Sequence, residues 1–151
     1  MTVVVGDARD RIETGLRETS ALIVENREWQ RGLGSSIRCG LRHQLNARPE
    51  LDAVLLLVCD QPFVDASIVT ALVSHWNNSR KAIVACSYAN TLGVPALFDR
   101  ACFEELLALP DESGAKALIE SRDGNVAQVE FEKGAIDIDT PADFRRLTER
   151  N

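Results

Sequence analysis

Acidic side chains follow two short apolar segments of the chain, and their types and spacing are suited to binding a metal. Asp60 ends the apolar run from Ala53 to Cys59 and is followed by Gln61 and Pro62. A short run that is rich in valine and leucine and bounded by proline is typical of a strand buried on both faces. Because proline cannot donate to a strand ladder, Asp60 should lie at the carboxyl end of a central parallel strand, where open α/β sheets bind ligands. The alternative is that Asp60 only caps a turn or the next helix.

The second acidic segment contains Asp137 and Asp139, at the end of a predicted strand over Ala135–Asp139. A parallel sheet brings the carboxyl ends of its strands to one edge, so one of these acids and Asp60 can lie over the same crevice. Two carboxylates with few other ligands suit Mg²⁺, which keeps several waters and takes its remaining bonds from phosphate oxygens. The alternative is that Asp139 and Thr140 only cap the last helix.

The rest of the hydrophobic pattern predicts strands that alternate with helices. Further strands are predicted over Thr2–Val5, Ala21–Val24, Ala82–Cys86 and Val126–Phe131. Helices are predicted over Asp7–Leu16, from a cap at Ser35 or Ser36 through Leu45, and over Asp65–Trp76, Arg100–Leu109, a short stretch after Ser113, and Pro141 to about Glu149. The segment Gly93-Val94-Pro95 predicts a turn into a short strand or extended arm. This alternation predicts an α/β fold with a largely parallel sheet.

Composition narrows the class of protein. With 151 residues, of which 45% are hydrophobic, the chain is predicted to form one soluble domain over residues 1–151. Its pattern predicts neither a membrane-spanning apolar stretch nor a secretory leader, and its net charge of −6, with no basic stripe, argues against a nucleic-acid partner. The four cysteines form no C-x-x-C pair, which predicts reduced, buried thiols and a cytoplasmic location.

Four segments, taken in order, carry a resemblance to a known family. They are Gly32-Leu-Gly-Ser-Ser-Ile-Arg-Cys-Gly-Leu41, Cys59-Asp-Gln-Pro62, Gly93-Val-Pro-Ala-Leu-Phe98 and Asp137-Ile-Asp-Thr-Pro141. Together they resemble the MobA-like nucleotidyltransferases, most closely the molybdenum cofactor cytidylyltransferase branch, from Thr2 to about Leu147. The resemblance implies a Rossmann-like, three-layer α/β/α fold with a mostly parallel sheet, of the nucleotide-diphospho-sugar transferase type.

The same resemblance implies a reaction and a metal. In such enzymes the terminal phosphate of molybdopterin attacks the α-phosphate of an NTP, here expected to be CTP, and pyrophosphate is released. By carry-over, Asp60 is the catalytic residue, and Asp60 and Asp139 hold the Mg²⁺ that bridges the phosphates. Asp139 is preferred because it lies at the strand-to-helix turn, but strand alternation would put Asp137 on the same face, so Asp137 stays open.

The remaining implied site residues bind the two substrates. Gly34, Ser35 and Ser36 are expected to line the base and ribose, while also capping the helix that begins there. Gly93 and Pro95 are expected to shape the acceptor side, with a simple turn as the alternative. Molybdoenzymes of the xanthine dehydrogenase type are the implied protein partners.

The chain departs from the family pattern in one respect. The family opens with a strand and a glycine-rich loop that wraps the triphosphate, whereas this sequence begins at what resembles the family's second strand. We therefore expect either an N-terminally truncated enzyme that lacks its first strand or a protein that is no longer a transferase. The alternatives to the cytidylyltransferase are an inactive module that binds molybdopterin or a partner enzyme, and a transferase for another nucleotide or phosphorylated acceptor.

Overall fold

The computed structural model describes residues 1–7, 9–122 and 124–149, which form six strands and six α-helices. The strands are β1 (Thr2–Val5), β2 (Leu22–Glu25), β3 (Ala53–Leu56), β4 (Ile83–Tyr88), β5 (Thr91–Asp99) and β6 (Val126–Glu130). The helices are α1 (Arg9–Leu16), α2 (Leu33–Ala47), α3 (Ala66–Ser79), α4 (Phe103–Leu107), α5 (Ala115–Ser121) and α6 (Pro141–Thr148). Short 3₁₀ turns cover Trp29–Arg31, Arg100–Cys102 and Glu132–Ala135. None of the helices in these ranges is long and apolar enough to cross a membrane.

The strands form two separate sheets. β1 and β2 pair in parallel, and the second sheet has the order β3-β5-β4-β6, with β4 parallel to β6 and β5 antiparallel to both its neighbours. β4 and β5 form a hairpin whose turn is Ala89-Asn90, both at positive φ. The prediction of a turn at Gly93-Val94-Pro95 was wrong, because that segment lies inside β5.

Helices cover both faces of the four-stranded sheet. On one face, side chains of α2, α4 and α5 pack against Ile83, Ala85 and Phe98, and on the other α3 places Leu72 against Val84 and Leu97. Neighbouring residues of β4 alternate between the two cores, as the two-residue period of a strand requires. The predicted three-layer α/β fold is confirmed, with a mixed rather than purely parallel main sheet.

Two predicted strands are corrected. β3 ends at Leu56 instead of Cys59, and all four of its residues are only half-buried because it is an edge strand paired antiparallel with β5. The predicted strand Ala135–Asp139 does not form. A 3₁₀ turn ends at Ala135, and the residues that follow make a single backbone bond to the β3–α3 loop instead of a ladder.

Helix α2 contacts both sheets. Gly40 lies so close to β1 that a Cβ there would be 2.8 Å from Cγ2 of Val4. Leu41, the next residue, belongs to the core that also contains Val54 and Leu56 of β3. α2 therefore packs against β1 of the small sheet and takes part in the core on one face of the larger sheet.

Both sheets contain a strand with an open backbone edge. Among the described residues β1 pairs only with β2, and β3 only with β5, so the backbone of each strand is paired along one edge only.

The open edges predict the behaviour of the isolated chain. Unpaired buried peptide groups destabilise a domain by about 1–3 kcal/mol each, against a total stability of about 5–15 kcal/mol. We therefore expect the 151-residue chain, expressed alone, to be poorly soluble or loosely packed, with a shallow urea transition. Adding an N-terminal strand with a glycine-rich loop should steepen that transition and improve solubility. A soluble short chain that unfolds as cooperatively as the extended version would contradict this expectation.

Candidate active site

The loop after β3 and the segment before α6 meet at one backbone hydrogen bond. The N–H of Ile138 donates to the carbonyl oxygen of Asp60 at 2.8 Å. Because Ile138 lies between Asp137 and Asp139, this bond brings both acids next to the Asp60 loop. The structure thus places together the three carboxylates that the sequence offered as metal ligands.

The electrostatics of this acidic site show that Asp60 and Asp139 act on Asp137. Partial desolvation raises the pKa of the exposed Asp137 carboxyl, and the negative charges of Asp60 and Asp139 raise it further. One carboxylate oxygen of Asp60, Oδ1, is buried and has no hydrogen-bond partner among the described residues. A buried carboxylate oxygen without a hydrogen-bond donor is stabilised by a nearby cation.

Neither Asp60 nor Asp139 is the N-cap of the helix that follows it. Asp65 caps α3 by accepting hydrogen bonds from the backbone N–H groups of Ser67 and Ile68. Thr140 caps α6 in a reciprocal capping box with Asp143. The predicted capping of the last helix is confirmed for Thr140, whereas Asp60 and Asp139 are not helix caps, which leaves these two carboxylates available for a ligand.

The donor set of the acidic site suits a magnesium-like ion better than a closed metal centre. Within residues 1–7, 9–122 and 124–149, no three His, Cys, Asp or Glu side chains are grouped tightly enough to hold a metal by themselves. Mg²⁺ commonly takes one or two protein carboxylates and completes its shell with waters and substrate phosphates. The acidic site fits that pattern.

The predicted nucleotide-binding residues lie at the start of α2, where Gly34 and Ser35 are largely committed to internal contacts. The N–H of Gly34 donates to the carbonyl of Asp111 at 2.9 Å, and a Cβ on Gly34 would overlap the carbonyl oxygen of Pro110. The buried hydroxyl of Ser35 donates to the carbonyl of Gly32 at 2.7 Å. Gly32 is the N-cap of α2, so the predicted serine cap was wrong.

Asn26 is a site residue that the sequence did not single out. Its buried side-chain Nδ2 donates to the hydroxyls of Ser35 at 2.8 Å and Ser36 at 3.0 Å. Asn26 also lines a cavity of about 350 Å³ at the carboxyl ends of β1 and β2, beside the half-exposed Trp29. In the sequence, its position directly after a strand was the one feature that could have identified it. Among the described contacts the Ser36 hydroxyl accepts from Asn26 but donates to nothing, so it has a proton left for a ligand.

Gly93 and Pro95 are buried residues of β5. A Cβ on Gly93 would overlap the hydroxyl of Tyr88, and the ring of Pro95 is fully buried. The structure thus gives both residues a packing role beneath the hairpin. Their contribution to an acceptor site stays a prediction.

A sequence model of the family described as "MobA-like NTP transferase domain" matches residues 1–127. The chain belongs to this family. The match includes Asp60 and Ser36 but ends before Asp137 and Asp139, so the position of those two acids is carried by the structure. A sequence search of curated proteins finds no significant match.

Solved structures support the same assignment. Rv0371c from Mycobacterium tuberculosis H37Rv is 28% identical, with a TM-score of 0.73, over 98% of this chain and 75% of that chain. A manganese complex of Rv0371c matches at 26% identity and a TM-score of 0.74, over 99% of this chain and 77% of that one. Molybdopterin-guanine dinucleotide biosynthesis protein A from Archaeoglobus fulgidus shares the fold, at 18% identity and a TM-score of 0.67, over 99% and 77% of the two chains.

An ion-pair network holds the start of α2 against the α4–α5 loop. Asp111 pairs with Arg38 through one carboxylate oxygen and with Arg31, at 2.6 Å, through the other. Hydrogen bonding to Arg38, together with the bond to Arg31, lowers the pKa of the Asp111 carboxyl below its usual value of 3.8. The network therefore fixes the position of Ser35 and Ser36 relative to the sheet.

The lowered pKa of Asp111 predicts a pH-dependent contribution to stability. This contribution is present above the unfolded-state pKa, near 3.8, and is lost as the pH falls through the lower folded-state pKa. Asp111→Asn should lower the melting temperature at pH 7, and the difference from the wild type should shrink below pH 3.8. The exposed Asp52, whose side chain makes no ion pair among the described residues, provides the control Asp52→Asn. A pH-independent effect of Asp111→Asn would contradict the assignment.

Proposed function

We propose that this chain is a nucleotidyltransferase of molybdenum cofactor maturation, which transfers CMP from CTP to the terminal phosphate of molybdopterin. Family membership supports the reaction class. The observation that carries the proposal is the convergence of Asp60, Asp137 and Asp139 at one edge of the fold. Such a site suits a divalent ion with its bound triphosphate, as nucleotidyl transfer requires.

The proposed reaction needs positioning more than proton transfer. An oxygen of the molybdopterin phosphate forms a bond to the α-phosphorus of CTP, and the bond from that phosphorus to the α,β-bridging oxygen breaks. The electron pair leaves with pyrophosphate. Because the attacking phosphate is already an anion, the protein's part is to align the two phosphates and neutralise their charge.

Asp60 and Asp139 are the proposed ligands of Mg²⁺, with Asp137 as the alternative to Asp139. Proteins of this family use divalent metals, and the relative solved with manganese supports a divalent site. When bound, the ion would neutralise charge on the triphosphate. The unpartnered Oδ1 of Asp60 favours its role as the central ligand.

The nucleoside is proposed to bind at the cavity beside Asn26. The Ser36 hydroxyl has a proton left to donate, and the face of Trp29, which is 41% exposed, can stack on a base. Gly34 and Ser35 support this site indirectly, since their contacts hold the start of α2 in place.

One observation favours the second candidate, a module that binds nucleotide or cofactor without turning it over. The backbone N–H groups of Gly34 and Ser35 at the start of α2 bond to the chain's own carbonyls, those of Asp111 and Gly32. They are therefore unavailable to bind a phosphate, and the 151 residues contain no glycine-rich loop to replace them. In this case the chain would bind its ligand but release no pyrophosphate.

The test uses the chain extended by an N-terminal strand and glycine-rich loop, since the short chain alone is not expected to transfer CMP. Pyrophosphate release should require CTP, molybdopterin and Mg²⁺, and GTP and ATP provide the comparison for the base. Asp60→Ala should reduce turnover by at least about 100-fold, because charge stabilisation of the transition state is lost. Melting temperature should not fall, since the mutation removes an unsatisfied buried oxygen.

The control is Asp52→Ala, which removes an exposed carboxylate at the opposite end of β3. It should leave turnover unchanged. Full turnover by a folded Asp60→Ala protein would rule out the proposed role of Asp60. Ligand binding without pyrophosphate release by the wild type would favour the binding module.

A further inference from the structure

Gln61 is a buried polar residue for which the proposed reaction has no direct use. It lies directly after Asp60, only 7% of its surface is exposed, and it is one of three buried polar residues in the described part of the chain. Its side-chain nitrogen Nε2 is fully used, whereas its oxygen Oε1 is buried without a partner. An apolar side chain would avoid the unsatisfied oxygen. The role of a glutamine at this position therefore depends on the hydrogen bonds that its Nε2 donates.

The Nε2 of Gln61 donates to two carbonyl groups from different parts of the chain. One is the carbonyl of Gly134, at 2.8 Å, in the turn that precedes Asp137. The other is the carbonyl of Val94, at 3.2 Å, in β5. Gln61 therefore links the loop after β3, the four-stranded sheet and the segment that carries the second pair of acids.

Two hydrogen bonds now connect the Asp60 loop to that acidic segment. The first runs from the Gln61 side chain to Gly134, and the second from the N–H of Ile138 to the carbonyl of Asp60. These attachments are four residues apart, so they fix both the position and the direction of the segment. A single backbone bond would leave it free to pivot, and the mutual repulsion of the carboxylates would push Asp137 away from Asp60.

Close packing around Gly134 allows its carbonyl to accept the hydrogen bond from Gln61. A Cβ at this position would lie 2.6 Å from Cδ1 of Phe131 and 2.7 Å from Cδ1 of Tyr88. Only glycine allows the turn to pack closely enough for its carbonyl to reach Gln61. The hydroxyl of Tyr88 donates to the carbonyl of Val94 at 2.8 Å and accepts a long hydrogen bond, 3.5 Å, from the Gln61 Nε2.

We propose that Gln61 is a positioning residue, which holds the segment from Gly134 to Asp139 beside Asp60 and thereby sets the affinity of the acidic site for a divalent cation. The positioning role follows from the hydrogen bonds alone. The effect on cation affinity rests on the proposed function, because it assumes that the acids bind a metal.

The test compares Gln61→Met with Tyr88→Phe in the chain extended by an N-terminal strand and glycine-rich loop, because the 151-residue chain alone is expected to be loosely packed. Methionine keeps the length of the side chain and removes its donors. Tyr88→Phe keeps the ring that packs against Gly134 and removes only the hydroxyl, with its bond to the Val94 carbonyl and its 3.5 Å contact to Gln61, so the bonds from Gln61 to Gly134 and Val94 remain. Gln61→Asn, which is polar but too short to reach Gly134, is the second variant in case the methionine variant does not fold. Melting temperatures show whether the variants are comparably stable.

The first readout is hydrogen exchange at the Ile138 amide, measured without metal. Loss of the Gln61 link should speed this exchange by at least about tenfold through local opening, while Tyr88→Phe should leave it near the wild-type rate. Unchanged exchange in both Gln61 variants would overturn the positioning role. Equal acceleration in Tyr88→Phe would also overturn it, since the effect would then be general loosening.

The second readout is the dissociation constant for Mn²⁺, measured by electron paramagnetic resonance. Mutation of residues that orient metal ligands commonly weakens binding by about 10- to 100-fold, which is the effect expected for Gln61→Met and not for Tyr88→Phe. Wild-type affinity in the Gln61 variants would overturn the proposed effect on the cation. If the wild type binds no Mn²⁺ but exchange at Ile138 still accelerates, the metal site of the proposed function fails while the positioning role stands.

Discussion

The hydrogen bond from the N–H of Ile138 to the carbonyl of Asp60 is the contact on which the candidate site depends. It joins two segments that are far apart in the sequence and belong to no common ladder. Three carboxylates are thereby held near one another, and desolvation together with the negative charges of Asp60 and Asp139 raises the pKa of Asp137. The segment is held in place by this backbone bond and by the hydrogen bond from the Gln61 side chain to Gly134. A site assembled in this way remains open to a cation.

The two sheets impose a second constraint. α2 packs against β1 of the small sheet and takes part in the core on one face of the larger sheet. β1 and β3 are each paired along one edge only. β3 is only half-buried, although every residue in it is apolar, because it is an edge strand.

Much of the site could be predicted because its signals are local. Asp60 follows an apolar run, with a proline two residues later, and Asp139 precedes a threonine-proline helix start, so both acids could be singled out from the sequence alone, although β3 ends before Asp60 and no strand ends at Asp139. The final strand was predicted wrongly because Ile136 and Ile138 alternate with the acids as strand residues do. Alternation indicates which residues share a face, but it does not supply a partner strand.

The contacts that could not be predicted link residues distant in sequence. Arg38 and Asp111, whose pairing holds the start of α2, are 73 positions apart. The sequence predicted Ser35 as a helix cap or a ligand-binding residue. The hydrogen bond that the Ser35 hydroxyl accepts from Asn26 shows instead that this hydroxyl belongs to a buried internal network. Likewise Gln61 follows Asp60 directly, but its partner Gly134 is 73 positions away.

The central claim is that the Asp60 loop and the segment around Ile138 form one divalent-cation site. It is tested most directly by titrating Mn²⁺ into ¹⁵N-labelled protein and recording which amide signals broaden, since the paramagnetic ion affects only nearby nuclei. The account predicts saturable broadening at residues 59–61 and 137–140 together, and none at the Asp111 network. Broadening at only one of the two segments, or only at other acidic surfaces, would contradict it.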